Sequence, residues 1–580
     1  MGITERSDDV LRDPEIEEAL VGNDAVNGAF DFKGRPVIRL KSGCWRAARF
    51  IIGMEMAERV CYFAIQSNLI NYLTGQLHKT TAAAAKNVNI WAGTASLLPL
   101  FGAFIADSYL GRYRTILIAS LIYILGLGLM TLSTILPLSL TKSECQVGYN
   151  VTSSCSNTMW QEFVFFLSLY LVAIGQGGHR PCAQAFGADQ FDEHHPHESK
   201  QRSSFFNWFY FCASLCGLLF LWILNYIQDN ISWILGFGIP CLLMIIAFVI
   251  FLLGTKTYRF TINNGENDQK KNPFLRMGSV FLAAIRNWGA SLSHKYVKDD
   301  EAHGRTLPLQ SSEQFNFLNK PLYAPNGSNE VEASKAILKL APIWATSLFY
   351  SIVYAQLQTF FIKQGVTLDR TIFPGFDLPS ASLRSLLVLA IVISTPIYDR
   401  VFVPTARLFT KNPSGITMLQ RVGTGLFMSI ITMAMAALVE KKRLGTAKEY
   451  GLVDDETIPM SVYWLFPQFF LSGIAEIFTS IGLQELFYDQ VPSEVRSLGV
   501  ALYLSIIGVG SFLSSFLIYV IEEVSGKDGQ SNWLANDINQ AHLDYFYWLL
   551  AGLSVVGLGF FILFSKSYTY SSQKGTTLGV

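Results

Sequence analysis

The chain alternates between long apolar runs and shorter polar connections. Roughly twelve runs reach the ~17 to 25 residues that a helix needs to cross a bilayer. They lie at 45–74, 88–106, 115–137, 160–186, 204–227, 231–254, 337–363, 383–404, 416–440, 460–487, 498–522 and 543–565. This pattern predicts an all-α integral membrane protein with twelve transmembrane helices.

One long polar insertion divides these runs into six and six. We therefore predict a cytosolic tail (1–43), a six-helix bundle (44–254), a cytosolic linker (255–336), a second six-helix bundle (337–566) and a cytosolic C-terminal tail (567–580). Within the linker, residues 272–295 mix apolar and basic side chains and could lie on the inner membrane surface. Two bundles joined by one loop favour a carrier that rocks between two states.

Composition and charge narrow the class of protein. The 580 residues are 51% hydrophobic and 15% charged, too apolar for a soluble protein of this size. The formal net charge is zero, and no basic block interleaved with aromatics indicates a nucleic-acid partner. The acidic N-terminal tail lacks signal-peptide features, so we expect it in the cytosol. Lys and Arg in the loops support this orientation, except for a basic group at 441–448 after helix 9.

Three charged residues interrupt the first apolar run as E-x-x-E-R: Glu55, Glu58 and Arg59. The i, i+3, i+4 spacing puts them on one helix face. At about 1.5 Å per residue they lie roughly halfway through a ~30 Å hydrocarbon core. Because a charge there costs about 2.5–3.5 kcal/mol, the group predicts a wet cavity and a proton site. A buried ion pair that only joins two helices is the alternative.

Other polar residues also lie deep within predicted helices. Arg180 follows three glycines in helix 4, and its alternative role is to reach the cytosolic surface. Glu476 lies near the middle of helix 10, where a structural hydrogen bond is the alternative. His179 fits a satisfied structural histidine better than a proton carrier. We expect a substrate site formed by Arg180, Glu476, Tyr62, Tyr354 and Gln356.

Several loop residues suggest secondary roles. Asp107 and Arg112, between helices 2 and 3, fit a conformational latch better than a substrate site. Asn150 lies in a glycosylation sequon, and a disulfide between Cys145 and Cys155 in the same loop stays open. The histidines at 194, 195 and 197 fit a solvated loop better than a metal site. We expect no metal and no cofactor, with protons as the coupling ion, and no catalytic motif indicates an enzyme.

Four motifs together resemble the plant nitrate and peptide transporter family, a branch of the proton-coupled oligopeptide transporters within the major facilitator superfamily. They are E-x-x-E-R, G-A-F-I-A-D-S-Y-L-G-R-Y at 102–113, F-G-A-D-Q-F-D at 186–192 and F-F-N-W-F-Y at 205–210. The resemblance implies two six-helix bundles, alternating access and proton symport, with coupling at Glu55, Glu58 and Arg59. That family commonly has lysine where Arg180 stands, and a guanidinium keeps the charge without releasing a proton.

The resemblance also bears on individual sites. It implies that Glu476 can meet a peptide amino group. A nitrate carrier's V-H-A-Q pattern reads Val353-Tyr354-Ala355-Gln356 here, which weakens a nitrate assignment. Thr115 matches a position phosphorylated in that type of carrier, with helix capping or packing as the alternative.

The predicted function is symport of protons with a small anionic or zwitterionic solute, such as nitrate, a di- or tripeptide, or a plant metabolite or hormone. The alternative is a substrate sensor that signals through its cytosolic loops. The expected partners are the small-molecule solute, protons and the lipid bilayer, while the oligomeric state is left open. The expected location is the plasma membrane or the vacuolar membrane.

Overall fold

In the described part of the chain, twelve helices lie at or near the predicted positions. The computed structural model describes residues 25–144, 159–192, 195–261, 327–410, 416–452, 457–491, 496–525 and 532–568. The helices are α1 (Cys44–Gly75), α2 (Thr81–Ile105), α3 (Arg112–Glu144), α4 (Met159–Ala188), α5 (Pro196–Asn230), α6 (Trp233–Leu253), α7 (Gly327–Tyr354), α8 (Arg384–Ile397), α9 (Met418–Tyr450), α10 (Phe466–Asp489), α11 (Arg496–Ser525) and α12 (Leu543–Ser567).

Two of these helices continue through irregular turns. A 3-10 turn (Ala355–Gln358) and a short helix (Phe360–Val366) extend α7. A 3-10 turn (Ser380–Leu383) precedes α8, and a π-helical turn (Tyr398–Phe402) and the helix Val403–Thr410 extend it.

Ten of the helices in the described ranges are long and apolar enough to cross a membrane, and α1 and α5 are the other two. Helix α1 contains five charged residues, at 46, 49, 55, 58 and 59. It nevertheless buries Glu55 and Glu58, which are 1% and 0% exposed. The two acids of α1 therefore lie against protein, as charged groups in a bilayer require.

The helices pack in two groups. In the first, α3 packs on α4 and α6, α1 packs on α5 and α6, and α2 packs on α4. In the second, α9 packs on α10 and α12, α8 on α10, and α7 on α11 and α12. Helices α2 and α11 join the two groups. Glycines permit close contact within the first group, since a methyl group at Gly102 would overlap the carbonyl of Gly177.

Two helix limits differ from the prediction by ten residues, the largest differences among the limits of these twelve helices. Helix α7 begins at Gly327, inside the segment predicted to be linker. Helix α9 continues past 440 to Tyr450, so the basic group predicted in a loop is helical. The extension is stable because Glu440 and Arg443 pair with each other inside the protein. Gly451, with a φ of 66°, then ends the helix in the left-handed conformation.

The N-terminal tail contributes strands that the sequence pattern did not predict. Strands β1 (Ala25–Phe30), β2 (Pro36–Ile38) and β3 (Phe260–Thr261) form an antiparallel sheet in the order β2-β1-β3. The tail is thereby joined to the chain that leaves α6. Four further short strands lie near the other end of the helices: β4 (Leu368–Asp369), β5 (Thr371–Phe373), β6 (Phe376–Asp377) and β7 (Ile458–Ser461).

A group of paired charges holds this N-terminal sheet in place. We call Arg39, Asp192, Glu198 and Arg259 the tail clamp. Glu198 accepts hydrogen bonds of 2.7 Å from both Arg39 and Arg259, and Arg39 also pairs with Asp192 at 2.8 Å. Burial alone would raise the pKa of Glu198, but the hydrogen bonds from Arg259 and from the Asp192 backbone outweigh it and hold the pKa at about 2.

Some predicted features lie outside the described residues. These are the amphipathic segment 272–295, the sequon at Asn150, the cysteines Cys145 and Cys155, His194, and the chain beyond Tyr568.

Candidate functional site

The E-x-x-E-R residues of α1 form a compact buried group. Arg59 Nε donates to Glu55 Oε1 at 2.8 Å and lies 3.8 Å from Glu58 Oε2. The structure therefore brings the three side chains together, as their spacing predicts.

This group is incompletely satisfied. Glu55 Oε2 and both carboxylate oxygens of Glu58 are buried and have no hydrogen-bond partner among the described residues. A buried carboxylate is costly unless it is paired and hydrogen-bonded. The group is therefore suited to exchanging partners, which a fixed structural joint is not.

Helix α4 adds a histidine to this group. His179 is fully buried, and its Nδ1 lies 3.9 Å from Glu55 Oε2. Neither ring nitrogen has a hydrogen-bond partner in the described part of the chain. The described structure therefore does not give His179 the hydrogen bonds expected of a satisfied structural histidine; its charged neighbours are Glu55 and Arg59.

Arg180 and Tyr62 lie beside the acids. Arg180 is half-buried and interacts electrostatically with Arg59, Glu58 and Tyr62. The Tyr62 ring packs 5.7 Å from the Trp91 ring, which fixes it against α2. The first helix group thus contributes two guanidinium groups, two carboxyl groups, an imidazole and a phenol to one region.

The second helix group faces this region with Glu476 and Arg384. Glu476 Oε1 accepts a hydrogen bond from the Tyr354 hydroxyl at 3.4 Å, and its buried Oε2 has no partner within the described ranges. Arg384, in the first turn of α8, is 8% exposed and interacts electrostatically with both Glu476 and Tyr62. Arg384 is not among the residues predicted from the sequence, although a permanent cation inside the predicted span 383–404 is a signal that identifies it.

A small cavity of about 10 Å³ lies between α7, α9 and α10. Hydroxyl groups and apolar side chains share its lining: Tyr350, Val353, Tyr354, Leu357, Ser429, Thr432, Ser472 and Ala475. This space fits about one water molecule, which the hydroxyl groups could bind because they both donate and accept hydrogen bonds.

Other predicted site residues have different surroundings. Gln356 is fully buried and donates to the Ile352 carbonyl at 2.8 Å and to Ser514 Oγ at 3.1 Å, which joins α7 to α11. Thr115 is 5% exposed and donates to the Gly111 carbonyl at 2.9 Å.

The predicted latch has a partner that the sequence did not suggest. Arg112 pairs with Asp189, just beyond α4, at 2.6 Å. The Asp107 side chain lies outside the described part of the structure. Arg112 therefore links the start of α3 to the end of α4.

Polar contacts join the two helix groups near the end where α1 finishes, which we call the outer end following the predicted orientation. The contacts that cross between the groups include four that we call the outer contacts: Gln66 to Gln358 (2.9 Å), Asn71 to Ser380 (3.0 Å), Lys86 to Glu522 (2.6 Å) and Asn89 to Ser514 (3.1 Å). They close the interface toward the outer side.

The two buried acids and His179 could in principle bind a metal ion, since their side chains are of the types that ligate metals. Glu55, Glu58 and His179 each offer one ligand atom, and these atoms lie within 4.8 Å of one another. However, Arg59 and Arg180 already balance the two carboxylates. A divalent cation would add two positive charges to a buried group that is neutral overall, so these residues do not fit a metal site.

Solved structures show the same fold. An auto-inhibited POT family peptide transporter matches with a TM-score of 0.67 at 19% identity, over 91% of this chain and 98% of that one. A proton-dependent oligopeptide (POT) family transporter matches with a TM-score of 0.58 at 19% identity, over 88% and 99%. The likeness confirms the predicted class, a helical integral membrane protein of the major facilitator type.

Sequence comparison places the chain in a family. Residues 113–534 match the POT family. The chain is 57% identical to Protein NRT1/PTR FAMILY 5.10 of Arabidopsis thaliana over 95% of this chain and 98% of that protein. It is 52% identical to Protein NRT1/PTR FAMILY 5.16 of the same plant over 96% and 98%. The chain therefore belongs to the POT family of proton-coupled membrane transporters.

Proposed function

We propose that this transporter imports a small anionic or zwitterionic solute together with protons by alternating access. Glu55, Glu58 and Arg59 form the coupling site, and Arg180 and Glu476 bind the solute. The single observation that carries this proposal is the buried acid–arginine group of α1, whose carboxylate oxygens lack partners in the described structure. It is supported by the position of Arg180 beside that group.

The coupling step is an exchange of partners. A proton that enters from the acidic side neutralises Glu58 or Glu55. Neutralisation weakens the hold of the acids on Arg59, which then binds an anionic group of the solute together with Arg180. Release of solute and proton to the cytosol lets Arg59 return to Glu55, the 2.8 Å pair that the structure contains. The closed outer contacts correspond to this inward stage of the cycle.

The arrangement of charge favours a solute with an anionic end. Arg59 and Arg180 lie on one side, and Glu476 with Tyr354 lies on the other. A zwitterion could place its carboxylate on the arginines and its ammonium on Glu476. A simple anion would use the arginines alone. Gln356 is left with a helix-joining role, because its side chain bonds locally to Ile352 and Thr359 and reaches across to Ser514 of α11.

The membrane that holds the transporter is part of the proposal. We place it in the plasma membrane or the vacuolar membrane, where a proton gradient can drive uphill movement of solute.

Transport in oocytes or proteoliposomes tests the proposal. Labelled nitrate, labelled alanyl-alanine and a neutral glucoside are offered at acidic and neutral external pH. We expect uphill uptake of at least one charged probe, stimulated by acid. Glu58→Gln should abolish uphill accumulation, whereas the matched control Glu485→Gln, an acid 45% exposed in α10, should not.

Arg180→Ala separates solute binding from coupling. It should weaken uptake of the anionic or zwitterionic probe far more than that of the neutral one, because only the former needs a cation. Undiminished uphill uptake by a correctly folded Glu58→Gln protein would contradict the coupling scheme. Equal losses for all probes in Arg180→Ala would remove Arg180 from the binding site.

A further inference from the structure

His179 occupies a position that the coupling scheme above does not use. It is fully buried in α4, one residue before Arg180. Its helix is fixed closely, since added methyl groups at Gly175 and Gly178 would press on Tyr123 and Ala119 of α3. The backbone of α4 beside His179 is therefore packed closely against α3.

The charged groups around the ring come from both helices. Helix α1 presents Glu55, 3.9 Å from Nδ1, with Glu58 and Arg59 behind it, and α4 itself presents Arg180. Helix α3 contributes the Tyr123 hydroxyl, which interacts with Glu58 and has no hydrogen-bond partner in the part of the chain described. The two acids and the two arginines balance, so a neutral imidazole leaves the group without net charge.

Only some of these groups can carry a proton during transport. Guanidinium groups stay charged at any working pH. Imidazole is the side chain whose ordinary titration falls near physiological pH. A protonated His179 would supply the partner that Glu55 Oε2 lacks, since imidazolium donates from both nitrogens. Glu55 would then bridge Arg59 and His179.

We propose that His179 is a further proton carrier of the coupling site, taking a proton on Nδ1 and donating it in a hydrogen bond to Glu55. This inference rests on the proposed function. The proton arrives from the acidic side in addition to the proton on the Glu55–Glu58 pair, and both leave to the cytosol with the solute. No bond other than those to hydrogen forms or breaks.

The balance of charge follows from this role. Each cycle moves one more positive charge than the Glu55–Glu58 pair alone would provide. Helix α4, which carries Arg180, is thereby coupled to helix α1, which carries Glu55 and Glu58. The coupling acts through His179, because a proton on His179 repels the cation of the adjacent Arg180.

The test compares His179→Gln with a matched control, His197→Gln. His197 is exposed in the first turn of α5, and its ring contacts Gln201. Purified proteins in liposomes take up whichever labelled probe, nitrate or alanyl-alanine, the wild type accumulates, while an internal dye reports protons. We expect His179→Gln to lower the proton-to-solute ratio by about one, while His197→Gln leaves it unchanged.

A ratio unchanged in His179→Gln would overturn the inference while leaving the proposed function intact. No uphill uptake by the wild type would instead defeat the proposed function itself. Because the variant could fail to fold, infrared difference spectra of wild-type protein with isotope-labelled histidine supply a second measurement. An imidazolium signal from a buried histidine that forms on acidification supports the role. The His197→Gln protein should keep this signal and lose only the part that comes from one surface histidine. A buried histidine that stays neutral across the transport pH range overturns it.

The alternative to a proton on His179 is a metal ion bound by His179, Glu55 and Glu58. Zinc titrated into the purified wild type at transport pH should not bind at the site. Stoichiometric zinc binding that His179→Gln removes and His197→Gln keeps would overturn the proton role in favour of a metal.

Discussion

Two buried groups in this protein combine glutamate and arginine on one helix, yet they are built differently. In α9, Glu440 and Arg443 are both fully buried, and Arg443 Nη2 lies 2.7 Å from Glu440 Oε1. In α1, Glu55 and Glu58 are equally buried, and Arg59 is 15% exposed. Burial and opposite charge therefore do not distinguish the two groups.

Hydrogen-bond satisfaction does distinguish them. Arg443 also donates to Asn539 at 2.8 Å, to Thr367 at 3.1 Å and to the Ile538 carbonyl at 2.7 Å, and Gln364 donates to Glu440. The α1 group instead leaves three carboxylate oxygens without partners in the described structure. A fully satisfied ion pair fixes a structure, whereas a partly satisfied one can change partners.

The largest expected effect comes from breaking the satisfied pair. Arg443→Ala leaves Glu440 as a buried, unpaired charge and should cost about 3–5 kcal/mol of stability. The measurement is thermal unfolding of the purified protein in detergent, with size-exclusion chromatography used to quantify the protein that stays folded at each temperature.

Glu58→Gln is the matched comparison. It removes a charge that makes no hydrogen bond with a described residue, while Arg59 keeps its pair with Glu55. The loss of stability should therefore stay below about 1 kcal/mol. If both variants lost the same stability, the distinction between a structural pair and a working group would fail.

The tail clamp offers an intermediate case outside the membrane. Glu198 of the clamp accepts hydrogen bonds from two arginines, as fully bonded as Glu440, but it lies outside the predicted membrane span, where a change of pH can protonate it. Because its pKa is lowered from 4.5 to about 2, its stabilisation is complete above about pH 4.5 and is lost as pH falls toward 2. Limited proteolysis should therefore find residues 25–43 protected from neutral pH down to about pH 4.5.

Glu198→Gln should expose the same residues to protease at neutral pH, because Arg39 and Arg259 lose their shared acid. Protection that persisted in this variant would show that the β2-β1-β3 sheet holds the tail without the clamp.

The smallest expected effect concerns an ion pair between the helix groups. Lys86 and Glu522 lie 2.6 Å apart, with side chains 23% and 31% exposed. A pair exposed to this extent contributes about 0.2–1 kcal/mol, so removing it should raise the outward-facing population by no more than about fivefold. Spin-label distances between the outer ends of α1 and α12 measure that population in Lys86→Ala, Glu522→Ala and the double variant.

The double variant should equal either single variant if the pair acts as one unit. A shift much larger than fivefold would mean that this ion pair, rather than the outer contacts together, closes the outer end.

The sequence located the helices and the acids of α1 because both follow from local spacing. Apolar runs of bilayer length give the helices, and the i, i+3, i+4 interval gives the shared face of Glu55, Glu58 and Arg59. The sequence did not predict which charged groups lie near His179 and Arg384, because those groups come from other helices. Nor did it predict β3, which pairs with a tail more than two hundred residues earlier in the chain.

The sequence by itself therefore determined a polytopic helical transporter with charges buried in α1, because hydrophobic length and helical period act within one segment. Only the tertiary structure decided which buried charges are satisfied. Glu440 meets Gln364 and Arg443, whereas Glu55 and His179 face each other without a hydrogen bond. The physical reason is that hydrogen-bond satisfaction depends on atoms from several helices, and their approach is set by packing rather than by the order of residues.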